Sequence, residues 1–214
     1  MKNIYDDLIQ FSSYAEPIDF SFNQYLLISD QPILVHTGNT ETAKKIIEPI
    51  TETLNGKPLC FIFVSHFESD ECGGLEVILD AFPEARVLCS EVTSRQLKGF
   101  GLPGDTLPQK GGDTIIAPDD ELEFITYPSE MHLWDGLLLF ERKRKVLFSS
   151  DLVFRHGNTG GSVIEKNISE ELESITPEQI PDAEKRALLI ESLKRKGINF
   201  IATGHGPCVK GAAK

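Results

Sequence analysis

Three histidines and four carboxylates of this chain sit in four short segments, each closing an apolar, strand-like run: His66-Phe67-Glu68-Ser69-Asp70-Glu71, Met131-His132, Ser150-Asp151 and Gly204-His205-Gly206. Side chains scattered from position 66 to position 205 can meet only through a fold, so the pattern calls for an architecture that delivers several strand ends to one edge. Together they offer enough nitrogen and oxygen ligands for two metal ions. A donor set this rich in carboxylate favours iron or manganese over zinc.

The runs between these segments set the expected order of elements. Phe22–Ile28 and Pro32–His36 read as a strand pair turning at Ser29-Asp30-Gln31. A helix is expected from Glu41 to Leu54, with Ala43, Ile46, Ile47, Ile50 and Leu54 on one stripe and Gly56 past its end. Cys60–Ser65 is a continuous apolar run, the texture of a strand covered on both faces. A helix from Gly73 to Ala81, a strand Arg86–Cys89 and a helix Glu91–Leu97 follow. Strands are then expected at Thr114–Ala117, Leu122–Tyr127, Leu137–Glu141 and Val146–Ser149, helices at Ser169–Ser174 and Asp182–Arg195, and a last strand at Asn199–Thr203. Strands alternating with helices, then a run of strands, then helices again predict an α/β (α+β) chain: one domain over residues 1–214, a sandwich of two mixed β-sheets with helices outside.

Bulk properties exclude several classes. The net charge of −12 argues against nucleic acid, and the basic run Arg142–Lys145 lies between two apolar stretches, as a hairpin turn would. No stretch reaches the ~20 apolar residues of a membrane helix, and acids stand where a signal peptide would carry its apolar core, so a cytoplasmic protein is expected. Cys60, Cys72, Cys89 and Cys208 form no CxxC pair; Cys60 and Cys89 read as core thiols, and Cys72 adjoins the ligand cluster.

Within the first cluster His66, Glu68 and Asp70 are spaced by two, which in extended chain points all three the same way. Glu71 breaks the alternation where the chain turns, beside Gly73-Gly74, and can reach a second metal. Alone, this cluster reads equally well as a polar loop with Asp70 capping a helix. The other segments shift the balance. Asp151 follows the buried-looking run KVLFSS, where a carboxylate is costly unless paired or metal-bound.

At these residues the chain resembles the metallo-β-lactamase-fold superfamily, and within it the flavodiiron and oxygen-binding diiron branch. The superfamily pattern HxHxDH, with a later His, a bridging Asp and a final His, is matched by His66, Glu68, Asp70 and Glu71, then His132, Asp151 and His205; LFSSD and GHGP look like the family's own segments. The resemblance implies a four-layer αβ/βα sandwich with one iron on His66, Glu68, His132 and Asp151, a second on Asp70, Asp151 and His205, and Asp151 bridging. Two positions depart from the pattern. Glu71 replaces the last His of the motif, and His36 in His36-Thr37-Gly38 stands where an Asp often follows the second strand. With Glu71 bound, four carboxylates balance two ferrous ions and the reduced site is formally neutral; a His there would leave it one unit positive. Glu71 is therefore expected to lower the reduction potential.

The activity implied is that of a non-haem diiron protein that binds, senses or reduces O2, or NO. It would use iron, with Mn or Zn as alternatives. No FMN is expected in this chain, so electrons would come from a separate donor protein; a symmetric homodimer is the default assembly. A dinuclear hydrolase, with metal-activated water, is the alternative from the same superfamily, and Glu68 and Glu71 weigh against it because hydrolytic members typically use His there. A signalling module with a sensory metal is the third. His36 reads as a residue orienting a ligand or as a plain turn histidine, His156 as a pocket or solvent-facing loop residue, and Trp134 and Tyr127 as pocket walls or packing.

Overall fold

Apolar runs with both faces covered occupy the middle of two sheets. The computed structural model describes residues 1–102, 104–129 and 135–212. Among them, the first sheet holds β1 (Lys2–Tyr5), β2 (Leu8–Ala15), β3 (Phe20–Leu27), β4 (Ile33–Val35), β5 (Phe61–Phe63), β6 (Arg86–Ser90) and β7 (Thr106–Gln109), in that spatial order. The second holds β8 (Thr114–Ile116), β9 (Glu121–Tyr127), β10 (Gly136–Glu141), β11 (Val146–Ser150), β12 (Val163–Lys166), β13 (Phe200–Thr203) and β14 (Cys208–Gly211), ordered β12-β14-β13-β11-β10-β9-β8. Both sheets are mixed: β4, β5, β6 and β7 run parallel, as do β11 with β13 and β12 with β14, while the other pairs are antiparallel.

The side-chain period of two sorts each strand between layers. In the first sheet Ile62 and Val64 face an outer core shared with Ile46, Ile50 and Leu54 of α1 (Thr40–Leu54) and Ile78 of α3 (Leu75–Ala81). Phe63, Val35 and Leu88 face inward, against Phe124, Leu139, Phe148 and Phe200 of the second sheet. That sheet turns Leu138, Leu147 and Ile201 outward under Leu172 of α5 (Ile168–Glu173) and Leu189 and Leu193 of α6 (Ala183–Lys194). The result is helix, sheet, sheet, helix: the expected four-layer sandwich.

Expected elements recur within a few residues of their bounds, including α4 (Glu91–Gly99) and the turn at 142–145 joining β10 to β11. Glu68, not Asp70, is the N-cap of the short α2 (Ser69–Cys72), and it caps through no side-chain hydrogen bond, so the capping alternative for Asp70 does not hold. Sequence periodicity missed β1, β2, β7, β12 and β14. Gln10, Ser12 and Ser13 interrupt β2, and β1, β7 and β12 are short, exposed edge strands, β7 carrying Pro108.

Candidate metal centre

The C-terminal ends of β4, β5, β11 and β13 lie on one edge of the sandwich, and two backbone bonds stitch the sheets together there: Leu137 N–H to Ser65 O, 2.9 Å, and Asn23 N–H to Gly204 O, 2.9 Å. Asn23 adds side-chain bonds to Thr203 O and Gly206 O, at 3.1 and 2.9 Å. Ser150, at φ 46, adopts a left-handed conformation where the β11–β13 register shifts, and this turns Asp151 out of the ladder. Gly204 lies against that bend. A Cβ there would come within 3.0 Å of Ser150 O and 3.1 Å of Ser150 C, so any larger residue in the loop bearing His205 would press on that bend.

Six of the seven expected ligands lie in described segments, and all six converge, each carboxylate within 3.7 Å of a histidine Nε2. Asp151 reaches both histidines: Oδ2 is 3.5 Å from His66 Nε2, and Oδ1 is 3.1 Å from His205 Nε2. Glu71 Oε2 is 3.6 Å and Glu68 Oε1 3.7 Å from His66 Nε2; Asp70 Oδ2 is 3.5 Å from His205 Nε2. Two ligand triads emerge, His66–Glu71–Asp151 and Asp70–Glu71–His205, with donor atoms in each mutually within 4.8 Å. His66, Glu71 and His205 are buried, whereas the Glu68 side chain is half exposed, so the cluster opens to solvent past Glu68. His132 and Trp134 lie outside the described residues.

Each imidazole is aimed from behind. His205 Nδ1 is 3.0 Å from Ser21 O; a carbonyl only accepts, so Nδ1 carries the proton and Nε2 faces the carboxylates. Phe20 stacks on the His205 ring at 4.3 Å and Phe22 meets it edge-on at 5.1 Å. His156, exposed, tilts on Phe20 at 5.0 Å, so it joins this aromatic group from its outer side. His66 Nδ1 lies 2.9 Å from Ser65 Oγ, which is also 2.9 Å from His36 Nε2 and 2.9 Å from Ser150 Oγ. A hydroxyl has one proton to give, so these contacts are directional. More than one proton order satisfies them: His66 Nδ1 and Ser150 Oγ donate to Ser65 and Ser65 to His36 Nε2, or His66 Nδ1 and His36 Nε2 donate to Ser65 and Ser65 to Ser150 Oγ. In both of these His66 Nε2 keeps its lone pair. His36 Nδ1 faces Glu71 Oε1 at 4.0 Å. Tyr127 is buried in the outer core beneath α5 and α6, its hydroxyl 3.5 Å from Gln179 O.

Buried negative charge accumulates here. Burial, then the charges of Asp151 and Asp70, pushes the Glu71 carboxyl well above its usual range. Burial, then His66, pushes His36 down to about 3, so it is neutral. Burial opposes the His205 proton, but the Asp151 contact and the Asp151 and Asp70 charges outweigh it and raise its pKa. Among the described residues, the only cation-forming side chains within 4.0 Å of these carboxylates are the imidazoles of His36, His66 and His205. Glu71 Oε2 is buried and accepts no hydrogen bond among the described residues. Several carboxylates around inward-turned imidazole nitrogens, one with an orphaned oxygen, fit a hard or borderline metal pair. Cys72 takes no part: its thiol donates to Glu68 O at 3.2 Å, and burial pushes it up to about 12. Sequence reasoning missed Ser65, Ser150 and the phenylalanines around His205. The signal available was that Ser65-His66 and Ser150-Asp151 each end a buried strand on a serine.

The Nostoc sp. (strain PCC 7120) relative carrying the name diflavin flavoprotein A 2 is 30% identical over 201 residues, 87% of this chain and 33% of the relative. The chain thus spans about a third of the length of such curated relatives. The crystal structure of the flavodiiron protein from Giardia intestinalis superposes with a TM-score of 0.78 at 17% identity, covering 96% of this chain and 54% of that one. Rubredoxin oxygen:oxidoreductase from Desulfovibrio gigas gives 0.78 at 18%, covering 98% and 57%. At these identities the likeness to the solved structures is one of fold. The model of the family described as ODP family beta lactamase matches residues 20–206, and the chain belongs to that family.

Proposed function

We propose that this chain holds two iron ions between His66, Glu68, His132 and Asp151 on one side and Asp70, Asp151 and His205 on the other, with Glu71 in the same cluster, and that it binds or reduces O2, with NO as a second ligand. The observation that carries the reading is Asp151, whose two oxygens face the Nε2 atoms of two different histidines, at 3.5 and 3.1 Å, as a carboxylate shared between two cations must. Ferrous iron at such a centre would supply electrons to a bound diatomic molecule. The chain's own residues do the rest. Ser21 O and Ser65 Oγ fix the two imidazoles so that little reorganisation accompanies loading. Phe20, Phe22 and Phe154 keep water from the His205 side; rings packed 4.3 to 5.9 Å apart leave no room for it. The exposed Glu68 edge is the entrance for a small ligand. Repeated turnover requires an electron donor, and a signalling role follows where none is present.

Metal analysis of protein purified without oxygen tests this. Two irons per chain and an optical change on admitting air are expected. Two zincs that persist under iron-replete expression, with ester or thioester turnover, would favour the dinuclear hydrolase instead.

A further inference from the structure

Glu71 lies within reach of both ligand groups. It belongs to both triads, with His66 and Asp151 and with Asp70 and His205. Its side chain is 1% exposed, Oε2 points to His66 Nε2 at 3.6 Å, and that oxygen accepts no hydrogen bond among the described residues. The backbone beneath it is pinned: Glu71 O accepts from Thr37 N–H at 2.8 Å and from Thr37 Oγ1 at 3.2 Å. The other oxygen, Oε1, is 4.0 Å from His36 Nδ1, and the far nitrogen of that ring is tied through Ser65 to His66. A terminal ligand would sit in one triad and could shed its second oxygen to solvent. Here burial removes that option, so both oxygens must be satisfied inside.

We propose that Glu71 is a second bridging carboxylate, spanning the two metal positions beside Asp151, with His36 as its positioning residue. This rests on the two-metal reading above. It implies that the affinities of the two positions are tied together through Glu71 as well as through Asp151.

The test is anaerobic titration with ferrous ion of the wild type, Glu71→Gln and Asp70→Asn, counting tight equivalents per chain. Two tight equivalents in the wild type, both weakened at least about 10-fold in Glu71→Gln and only one in Asp70→Asn, are expected. If Glu71→Gln keeps one equivalent at wild-type affinity, Glu71 is terminal, and if it keeps both, it does not ligate; either result overturns the bridge while leaving two metals in place. A wild type without two equivalents overturns the two-metal reading, and the bridge with it. An iron-edge anomalous map of loaded wild-type crystals needs no variant. One Glu71 oxygen within about 2.2 Å of each peak supports the bridge, and both oxygens on one peak, or neither near a peak, overturn it.

Discussion

The two histidines of the cluster are held in opposite ways. His205 leans on a backbone carbonyl, Ser21 O, and between two phenylalanine rings. A carbonyl cannot donate and a packed ring cannot rotate away, so one tautomer and one orientation persist. His66 leans on the hydroxyl of Ser65, which also meets His36 and Ser150 and can reverse its proton. The His205 side is thus set by the fold, while the His66 side is set by a network of side chains that single substitutions can rewire. Glu71 lies on the rewirable side, with His36 behind it.

Experiments that break or sharpen this contrast fall in order of size. Asp151→Asn removes the one carboxylate shared by both imidazoles and should weaken iron loading at least about 100-fold at both positions, read as equivalents bound; loss at one position alone would contradict its shared place. Glu71→Gln should raise the stability of chelator-treated protein at pH 7 by about 1–3 kcal/mol, measured by denaturant unfolding, because the wild type must on folding either bury the carboxylate charge or take up a proton. The sign follows from a folded-state pKa raised above the ordinary carboxylate value: the stability attached to protonated Glu71 is full below that value, near 4.5, and is lost as pH rises through the folded pKa. The two proteins should therefore converge in acid and separate toward neutral pH.

Ser65→Ala cuts His66 from His36 and should cost roughly 10-fold in affinity at the His66 position with little change at the other, separable by competition with a chelator. Equal loss at both would show that the two sides are not independently held. Phe20→Leu, which keeps apolar volume but removes the stacked ring, should cost the least, about 0.5–1.5 kcal/mol in thermal unfolding, with iron stoichiometry unchanged.

Much of this was legible in the chain. CFIFVS announced a strand buried on both faces, and β5 is one, its residues alternating between two cores. The helical stripe from Ala43 to Leu54 appears as the buried face of α1. Polar or short edge strands escaped because period-two patterning exists only where one face is covered and the other is not. His66, Glu68, Asp70, Glu71, Asp151 and His205 were visible as a set because each follows a strong local signal. Ser65, Phe20 and the Ser21 carbonyl carried no such signal, since serine and phenylalanine at strand ends are common and a carbonyl has no letter in the sequence.

The amino-acid sequence by itself determined which side chains could bind cations, that they would stand at strand ends, and that a carboxylate replaces the last histidine of the motif at Glu71. Local hydrophobic period and residue chemistry suffice for that. Only the tertiary structure decided that Glu71 belongs to both triads rather than one, that His36 lies behind it, and that the two imidazoles are held by different kinds of acceptor. Those facts depend on distances between residues up to 184 positions apart in sequence, as in the contact of His205 with Ser21, and such distances exist only once two sheets have closed on one edge.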